Sequence, residues 1–423
     1  TSQPTNQPIV SDFAVTAAII DIMLAARANI PKYIAYIIFK HIGFGIFVAV
    51  WSTYLLQVRG WALAQIALVD ATFFITSTFG EIPTGIVADR ISRKISLLIG
   101  CLLMGLSVLA WLFAPNLILV IAAYLLMGLA FTFQSGAEDA FFYESLQRAE
   151  RGADYARLNG RLMALSAGGM MLGNVLGGLL GNVRLDLPFL TSAALSFAAL
   201  GCVMLFDDPR RGEHAHAHAP SLVGIVQQAV ALMRSNPALR ILMIFMPVLA
   251  VGSYVAEYVF LQPQARALGV PVAAIGFLQA SVQGISMTAL TLSSRVAGWL
   301  GQNRVIMLAP VVVISGLLLM SAFQVLPVLS CVGAITFAST VVRPLISAKT
   351  QGLVPNEVRA TILSTSSMMF SMMAGITQPI IGLVADNFGF STAYAGLAAL
   401  LALVLGSIFM RGRGHLLGGT PSA

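Results

Sequence analysis

Apolar runs of roughly 20 residues, separated by short polar gaps, fill most of this 423-residue chain. That length of helix crosses the roughly 30 Å of a bilayer's hydrocarbon core. The pattern predicts spans 1 to 6 at 34–56, 62–87, 95–114, 117–143, 161–185 and 187–206. It resumes with spans 7 to 12 at 239–262, 273–296, 305–324, 326–349, 361–385 and 391–410. The one long interruption, 207–238, holds DDPRRGEHAHAHAP and then an amphipathic stretch from Ser221 to Arg234. The expected organisation is therefore an N-terminal segment 1–33, a six-helix bundle 34–206, a linker 207–238, a second bundle 239–410 and a tail 411–423. Within the first segment, Ile9–Ala26 is apolar but carries Asp12 and Asp21. It is expected to be an interfacial or loosely ordered segment, with a thirteenth span as the alternative.

Composition sharpens this reading. Hydrophobic residues make up 58% of the chain and charged residues only 10%, whereas soluble domains are about a quarter charged. The net charge of +7 does not come from a basic patch with interleaved aromatics, so nucleic acid is not an expected partner. The basic residues sit between the apolar runs instead. With the N-terminus placed in the cytoplasm, 19 of the 24 Lys and Arg fall on that side, against Arg59, Arg184 and Arg266 on the other. Positive charge accumulates on cytoplasmic loops, which puts both termini and the linker there, in a cell-membrane protein. Cys101, Cys202 and Cys331 all lie in apolar runs, so no disulfide or metal framework is expected.

Between spans 2 and 3 the chain reads Gly85-Ile-Val-Ala-Asp89-Arg90-Ile-Ser-Arg93-Lys94. This resembles the signature of the major facilitator superfamily, with Ser92 where that family usually has Gly. A fainter echo, Ser294 to Arg304, occupies the same place in the second half, with Gly298 where Asp89 stands in the first. Gly160, Gly169, Gly173, Gly177 and Gly178 in span 5 resemble the helix-5 motif of the family's antiporter branches, with Asn174 in place of its Pro. The segments Glu81-Ile-Pro-Thr-Gly85 and Ser135-Gly-Ala-Glu138-Asp139-Ala140 are similar to those of a bacterial subgroup presumed to export drugs. The Arg that the family often carries in helix 4 is absent from the stretch Leu129 to Gly136. The resemblance implies an all-α fold of two six-helix pseudo-symmetric bundles, each made of inverted three-helix repeats. It also implies alternating access, and a conformational latch in which Asp89, Arg90 and Arg93 tie span 2 to span 11. From the residues alone, those charges can equally be topology signals. Gly169, Gly173, Gly177 and Gly181 recur every fourth residue, a flat stripe that admits another helix at close range.

An ionisable residue within a span is costly and is a functional hypothesis by default. Asp70 and Glu81 are eleven residues apart, so they share one helical face with Ser77. They are candidates to carry a coupling proton or cation, as are Glu138 and Asp139 in span 4. Structural hydrogen bonding is the plainer alternative. Arg343 in span 10 lies at a depth similar to Glu138 and Asp139, and either an ion pair closing the cytoplasmic mouth or independent snorkelling accounts for it. Lys40, His41, Glu257, Gln279 and Gln283 are the candidates for the substrate cavity, Glu257 being placed near the outer end of span 7. Met368, Met369, Met372 and Met373 form either a soft wall for cargo or core filler. His214, His216 and His218 read as a solvated linker rather than a metal site.

No nucleotide-binding loop and no nucleophile–base or His–Glu metal set is present, so neither an ATP-driven pump nor an enzyme is expected, and no cofactor. The expected protein is a monomeric secondary transporter, with a small molecule, a proton or Na+, and the lipid bilayer as partners. Proton-coupled export of amphipathic molecules is the favoured reading. Ion-coupled transport of a polar metabolite such as a sugar or organic ion, or of a lipid, is the alternative; a membrane receptor or intramembrane enzyme is remote.

Overall fold

A computed structural model describes residues 10–208, 222–354 and 359–417. Helix α1 (Val10–Val48) turns at Ala49–Val50 into the short α2 (Trp51–Gln57), and the two together make span 1. Spans 2 to 6 are α3 (Leu63–Arg90), α4 (Arg93–Phe113), α5 (Leu117–Arg148), α6 (Tyr155–Val183) and α7 (Leu187–Met204). The linker contributes α8 (Leu222–Ser235). Span 7 is α9 (Pro237–Tyr254), a π-helical turn (Val255–Phe260) and α10 (Leu261–Ala267). There follow α11 (Val272–Leu300), α12 (Gln302–Ala322), α13 (Ser330–Gly352) and α14 (Arg359–Leu417).

Eleven segments among the described residues are long and apolar enough to cross a membrane, the last being Ile362–Met410. Its helix is broken at Gly389, whose φ of 81° and ψ of 168° no helix contains. Glycine reaches that region without a Cβ clash, so the segment is two spans and the total is twelve. Polar caps set other ends. Asn116 accepts a hydrogen bond from Leu119 N at 3.0 Å at the start of α5, and Asn236 one from Leu239 N at 3.1 Å at the start of α9. Both satisfy an amide that the first helical turn leaves unpaired.

The segment from Val10 onward is helical and runs without a break into the first span. The amphipathic part of the linker forms α8 and packs on the second half. Leu232 and Met233 of α8 pack on Leu239, Met243, Val354 and Ile362 of the second half. The His-rich stretch with His214, His216 and His218 lies outside the described residues.

The packing is in two halves. One set of buried cores joins α1 to α7 and reaches Val272 of α11, and another joins α9 to α14 and takes in Leu63, Ala67 and Phe74 of α3. Asn29 closes the first half at the end that carries the basic loops, exchanging hydrogen bonds with Asp207 N and O at 2.9 and 2.8 Å. The three basic residues at the opposite end serve local structure: Arg59 donates to Leu112 O at 2.7 Å, Arg266 to Val270 O at 2.6 Å, and Arg184 pairs with Asp186 at 2.6 Å. Between the halves, α3 crosses α14 and α6 crosses α11. Because lipid offers no hydrophobic drive for helix association, close packing of small residues has to supply it. A Cβ placed at Gly178 would stand 2.7 Å from Gly276 Cα, which shows how near those two backbones lie.

Candidate functional site

A cavity of about 640 Å³ lies in the second half and against α3. Its wall runs from Ser347, Thr350, Ile362 and Leu363 near the basic-loop end to Tyr254, Glu257 and Tyr258 at mid-depth. Half of its lining residues carry a hydroxyl, among them Ser77, Ser253, Ser286, Thr336, Ser339, Thr340, Ser366, Ser367 and Ser371. Gln283 and Arg343 also face it.

The opposite end is sealed by contacts between the halves. Gln262 accepts from Ser52 Oγ at 2.9 Å and from Thr53 Oγ1 at 3.2 Å, and donates to Val48 O at 2.7 Å. Asp386, from α14, accepts from the amides of Leu63 and Ala64 at 2.8 Å each. Those are the first two amides of α3, where the helix dipole favours an anion. Sequence reasoning missed both residues. The signal would have been a carboxylate at a span end facing a helix whose N-cap residue, Ala62, has no side-chain acceptor.

At the closed end of the cavity, Tyr254 Oη donates to Asp70 Oδ2 at 2.9 Å across the halves. Tyr254 is wedged between rings: Tyr258 stacks on it at 4.7 Å and 16°, and Phe74 and Phe370 meet it edge-on at 5.2 and 5.8 Å. Asp70 is buried and has no ion-pair partner among the described residues. Glu257 accepts from Thr336 Oγ1 at 2.9 Å, with Tyr258 beside it. Its place on the π-helical turn matters, because the extra residue per turn re-aims side chains relative to a regular helix.

The structure separates several residues that sequence reasoning grouped. Glu81 is exposed further along α3 and does not line the cavity, whereas Asp70 is buried. Glu257 is buried against the cavity and not solvated near the outer end, because α10 carries span 7 two further turns beyond it. Gln283 faces the cavity, while Gln279 is buried beside it with its Nε2 unpartnered. Arg343 is not at Glu138 or Asp139 in this conformation. Glu138 instead holds Lys40 and Tyr36 of its own half, and Asp139 is exposed. His41 Nδ1 lies 2.9 Å from Ile37 O, one turn back on α1. With Lys40, Phe131, Gln134 and Ser196, His41 lines a separate 180 Å³ cavity inside the first half. Of the four methionines, Met369 and Met373 are half-buried against cores, Met368 is half-buried and Met372 is exposed, while α14 turns Ser366, Ser367, Phe370 and Ser371 to the cavity.

The signature loop also looks different in three dimensions. Arg93 pairs with Glu144 of α5 at 3.5 Å, and Lys94 donates to Met204 O and Phe206 O at 2.9 and 2.6 Å. These contacts tie α4 within the first half. Arg90 is exposed, Gly85 has open space where a Cβ would be, and the side chain of Asp89 lies outside the described set. Ser92, where glycine is usual, caps α4 by accepting from Ile95 N at 3.3 Å. In α6, a Cβ at Gly173 would meet Ile42 O at 2.3 Å and one at Gly177 would meet Ile46 O at 2.5 Å. The stripe seats α1, and Gly169 faces His41; Asn174 is buried between Gly45 and Gly276, while Gly160 has open space.

Twelve spans in two halves around a cavity shared between them define a transporter fold. The family model of the Major Facilitator Superfamily matches residues 34–376, and the chain belongs to that superfamily. It is a multi-pass membrane protein. It is similar to the uncharacterized MFS-type transporter YxaM of Bacillus subtilis (strain 168), 20% identical over 373 residues, or 86% of this chain and 91% of that one. In fold it resembles the nucleoside transporter NupG, with a TM-score of 0.74 at 16% identity over 92% of this chain and 99% of that one. It also resembles the POT family transporter PepTSo, with a TM-score of 0.69 at 14% identity over 93% and 99%. A bacterial homolog of the human lysosomal transporter Spinster, in an inward-facing and unoccupied conformation, matches with a TM-score of 0.67 at 13% identity over 93% and 96%.

Proposed function

We propose that this protein is an ion-coupled transporter of a small polar solute, working by alternating access, with Asp70 as the coupling carboxylate. The observation that carries the reading is the cavity wall. Hydroxyls line half of it, and Glu257 and Arg343 bring one acidic and one basic group. Such a wall rewards a solute that arrives with hydrogen-bonding groups of its own, since desolvated polar groups left unpaired are costly. Asp70 supports the coupling role because it is buried and bonded across the halves, so its charge bears on whether they separate. A buried carboxylate without a cation is expensive to keep charged.

Proton-coupled export of amphipathic molecules is the second reading. The apolar mouth formed by Leu242, Met243, Met246, Ile346, Ile362 and Leu363 favours it. In both readings the cavity opens to the cytoplasm, where the charge asymmetry places both termini and the linker, in a cell membrane. A reporter inserted at Ala217 reads cytoplasmic if that orientation is right.

Reconstituted protein decides between the two cargoes. Proteoliposomes with an imposed ion gradient are offered nucleosides, short peptides, sugars and amphipathic cations. Concentrative movement of a polar solute, lost in Glu257→Gln or Arg343→Gln, is the expected result. Movement of amphipathic cations alone, indifferent to both substitutions, overturns it. Asp70→Asn is expected to retain exchange between equal pools and to lose accumulation against a gradient.

A further inference from the structure

Below the ring cluster of Phe74, Tyr254 and Phe370, two buried polar groups from opposite halves face each other with unspent bonding capacity. Asp70 of α3 takes its cross-half hydrogen bond from Tyr254, and no ammonium or guanidinium pairs with it among the described residues. Beside it stands Gln378 of α14, 0% exposed, whose side-chain amide faces the Asp70 carboxylate as a donor while its amide oxygen lacks a hydrogen-bond partner. A fully buried amide oxygen with no donor is uncommon in a folded protein, and an ion or water is one of the standard reasons for it.

A third oxygen lies three residues before Gln378 on the same helix. Pro379 lies inside α14 and has no N–H to give the carbonyl of Gly375, one turn back. Gly375 adjoins the residue after Asp70: a Cβ added there would stand 3.8 Å from the carbonyl oxygen of Ala71. With no side chain on Gly375, nothing of its own screens the α14 backbone from α3 at this level.

We infer that Asp70, the Gln378 amide oxygen, the Gly375 carbonyl and the Tyr254 hydroxyl form a site for a dehydrated monovalent cation, Na+. One carboxylate supplies the single negative charge, and the other donors are neutral oxygens, the ligand type that hard cations prefer. The site lies between the cavity floor and the seal made by Asp386 at the start of α3. An ion held there draws α3 and α14 together from both halves. The inference rests on the reading of Asp70 as the coupling carboxylate and specifies the ion.

The test uses the full-length protein without substrate, at alkaline pH where protons are scarce. NaCl replaces KCl at constant ionic strength while thermal unfolding is followed. A ligand that binds only the folded state raises Tm in a saturable way. The expected result is a saturable rise with Na+ and none with K+. The rise should vanish in Asp70→Asn and need about tenfold more Na+, or more, in Gln378→Leu. Pro379→Ala, which restores an N–H to the Gly375 carbonyl, should weaken it as well. If Gln378→Leu does not fold, the wild-type comparison of Na+ with K+ still decides. Identical curves in Na+ and K+ overturn the inference. In that case Asp70→Asn separates the two ideas: loss of gradient-driven accumulation in this variant keeps Asp70 as a proton carrier, and unchanged accumulation removes both.

Discussion

Lys40 and Glu138 are 98 positions apart, on α1 and α5, yet they pair inside the first half, where each side chain is only 14% exposed. Tyr36, fully buried, donates to the same carboxylate oxygen. Breaking a buried pair by removing one partner costs about 3–5 kcal/mol, because the other charge is left uncompensated. Lys40→Ala and Glu138→Ala should therefore each lower the unfolding temperature and the yield of folded protein. The charge exchange, Lys40→Glu with Glu138→Lys, should recover a large part of the loss in a double-mutant cycle. Rescue of Glu138→Lys by Arg343→Glu instead would show that the pairing across the halves is the one that matters. The apolar pattern places Lys40, Glu138 and Arg343 inside spans, as the structure does. It cannot choose the partner, since depth along a helix is legible from residue number and azimuth around a bundle is not.

Among the elements, α6 shows how a sequence pattern becomes a contact. Gly169, Gly173 and Gly177 bring the backbone of α1 against that of α6, with Gly45 of α1 meeting Gly173. Four-residue spacing is enough to predict a close-packed face, though not which helix fills it. A methyl at Gly173 would lie 2.3 Å from Ile42 O, a main-chain atom that cannot swing aside. Gly173→Ala should cost about 1–3 kcal/mol, the usual range for overpacking, seen as a lower Tm in detergent. Gly160→Ala is the control, with nothing within 4 Å of its added methyl. If both variants unfold alike, the stripe is not a packing surface. The π-helical turn at Val255–Phe260 has no comparable signal. One extra residue in a helical turn leaves composition and apolar periodicity almost unchanged, yet it brings Glu257 to the cavity wall.

Taken as one body, the molecule has two unlike ends. The basic-loop end admits the cavity, while Gln262, Asp386 and the Gly178–Gly276 crossing shut the other. Asp386 holds two α3 amides and is itself exposed. Hydrogen bonds to charged groups contribute about 1.5–3 kcal/mol when shielded, and about 1 kcal/mol is reasonable at this rim. Asp386→Ala should therefore shift the balance toward the state open at this end by roughly fivefold. Spin labels at Val58 and Val325, both exposed near that end, would report it as a grown long-distance population. An unchanged distribution would show that Gln262 and the glycine crossing suffice for the seal.

Read without coordinates, the chain yields the number and approximate limits of its spans, the division into halves, the superfamily and the asymmetry of charge. Those follow from the length of apolar runs, from loop composition and from a local motif, all one-dimensional quantities that the bilayer imposes. The ionisable residues worth explaining stand out too, because any charge in hydrocarbon is conspicuous. Which of them meet is a matter of the folded molecule. Folding sets Asp70 against Tyr254 and Gln378 while leaving Glu81 exposed. It gives Glu138 to Lys40, and it ties Arg93 and Lys94 into their own half. The physical reason is that partners hundreds of residues apart are chosen by how helices rotate and cross, and small residues spread along whole faces set that geometry.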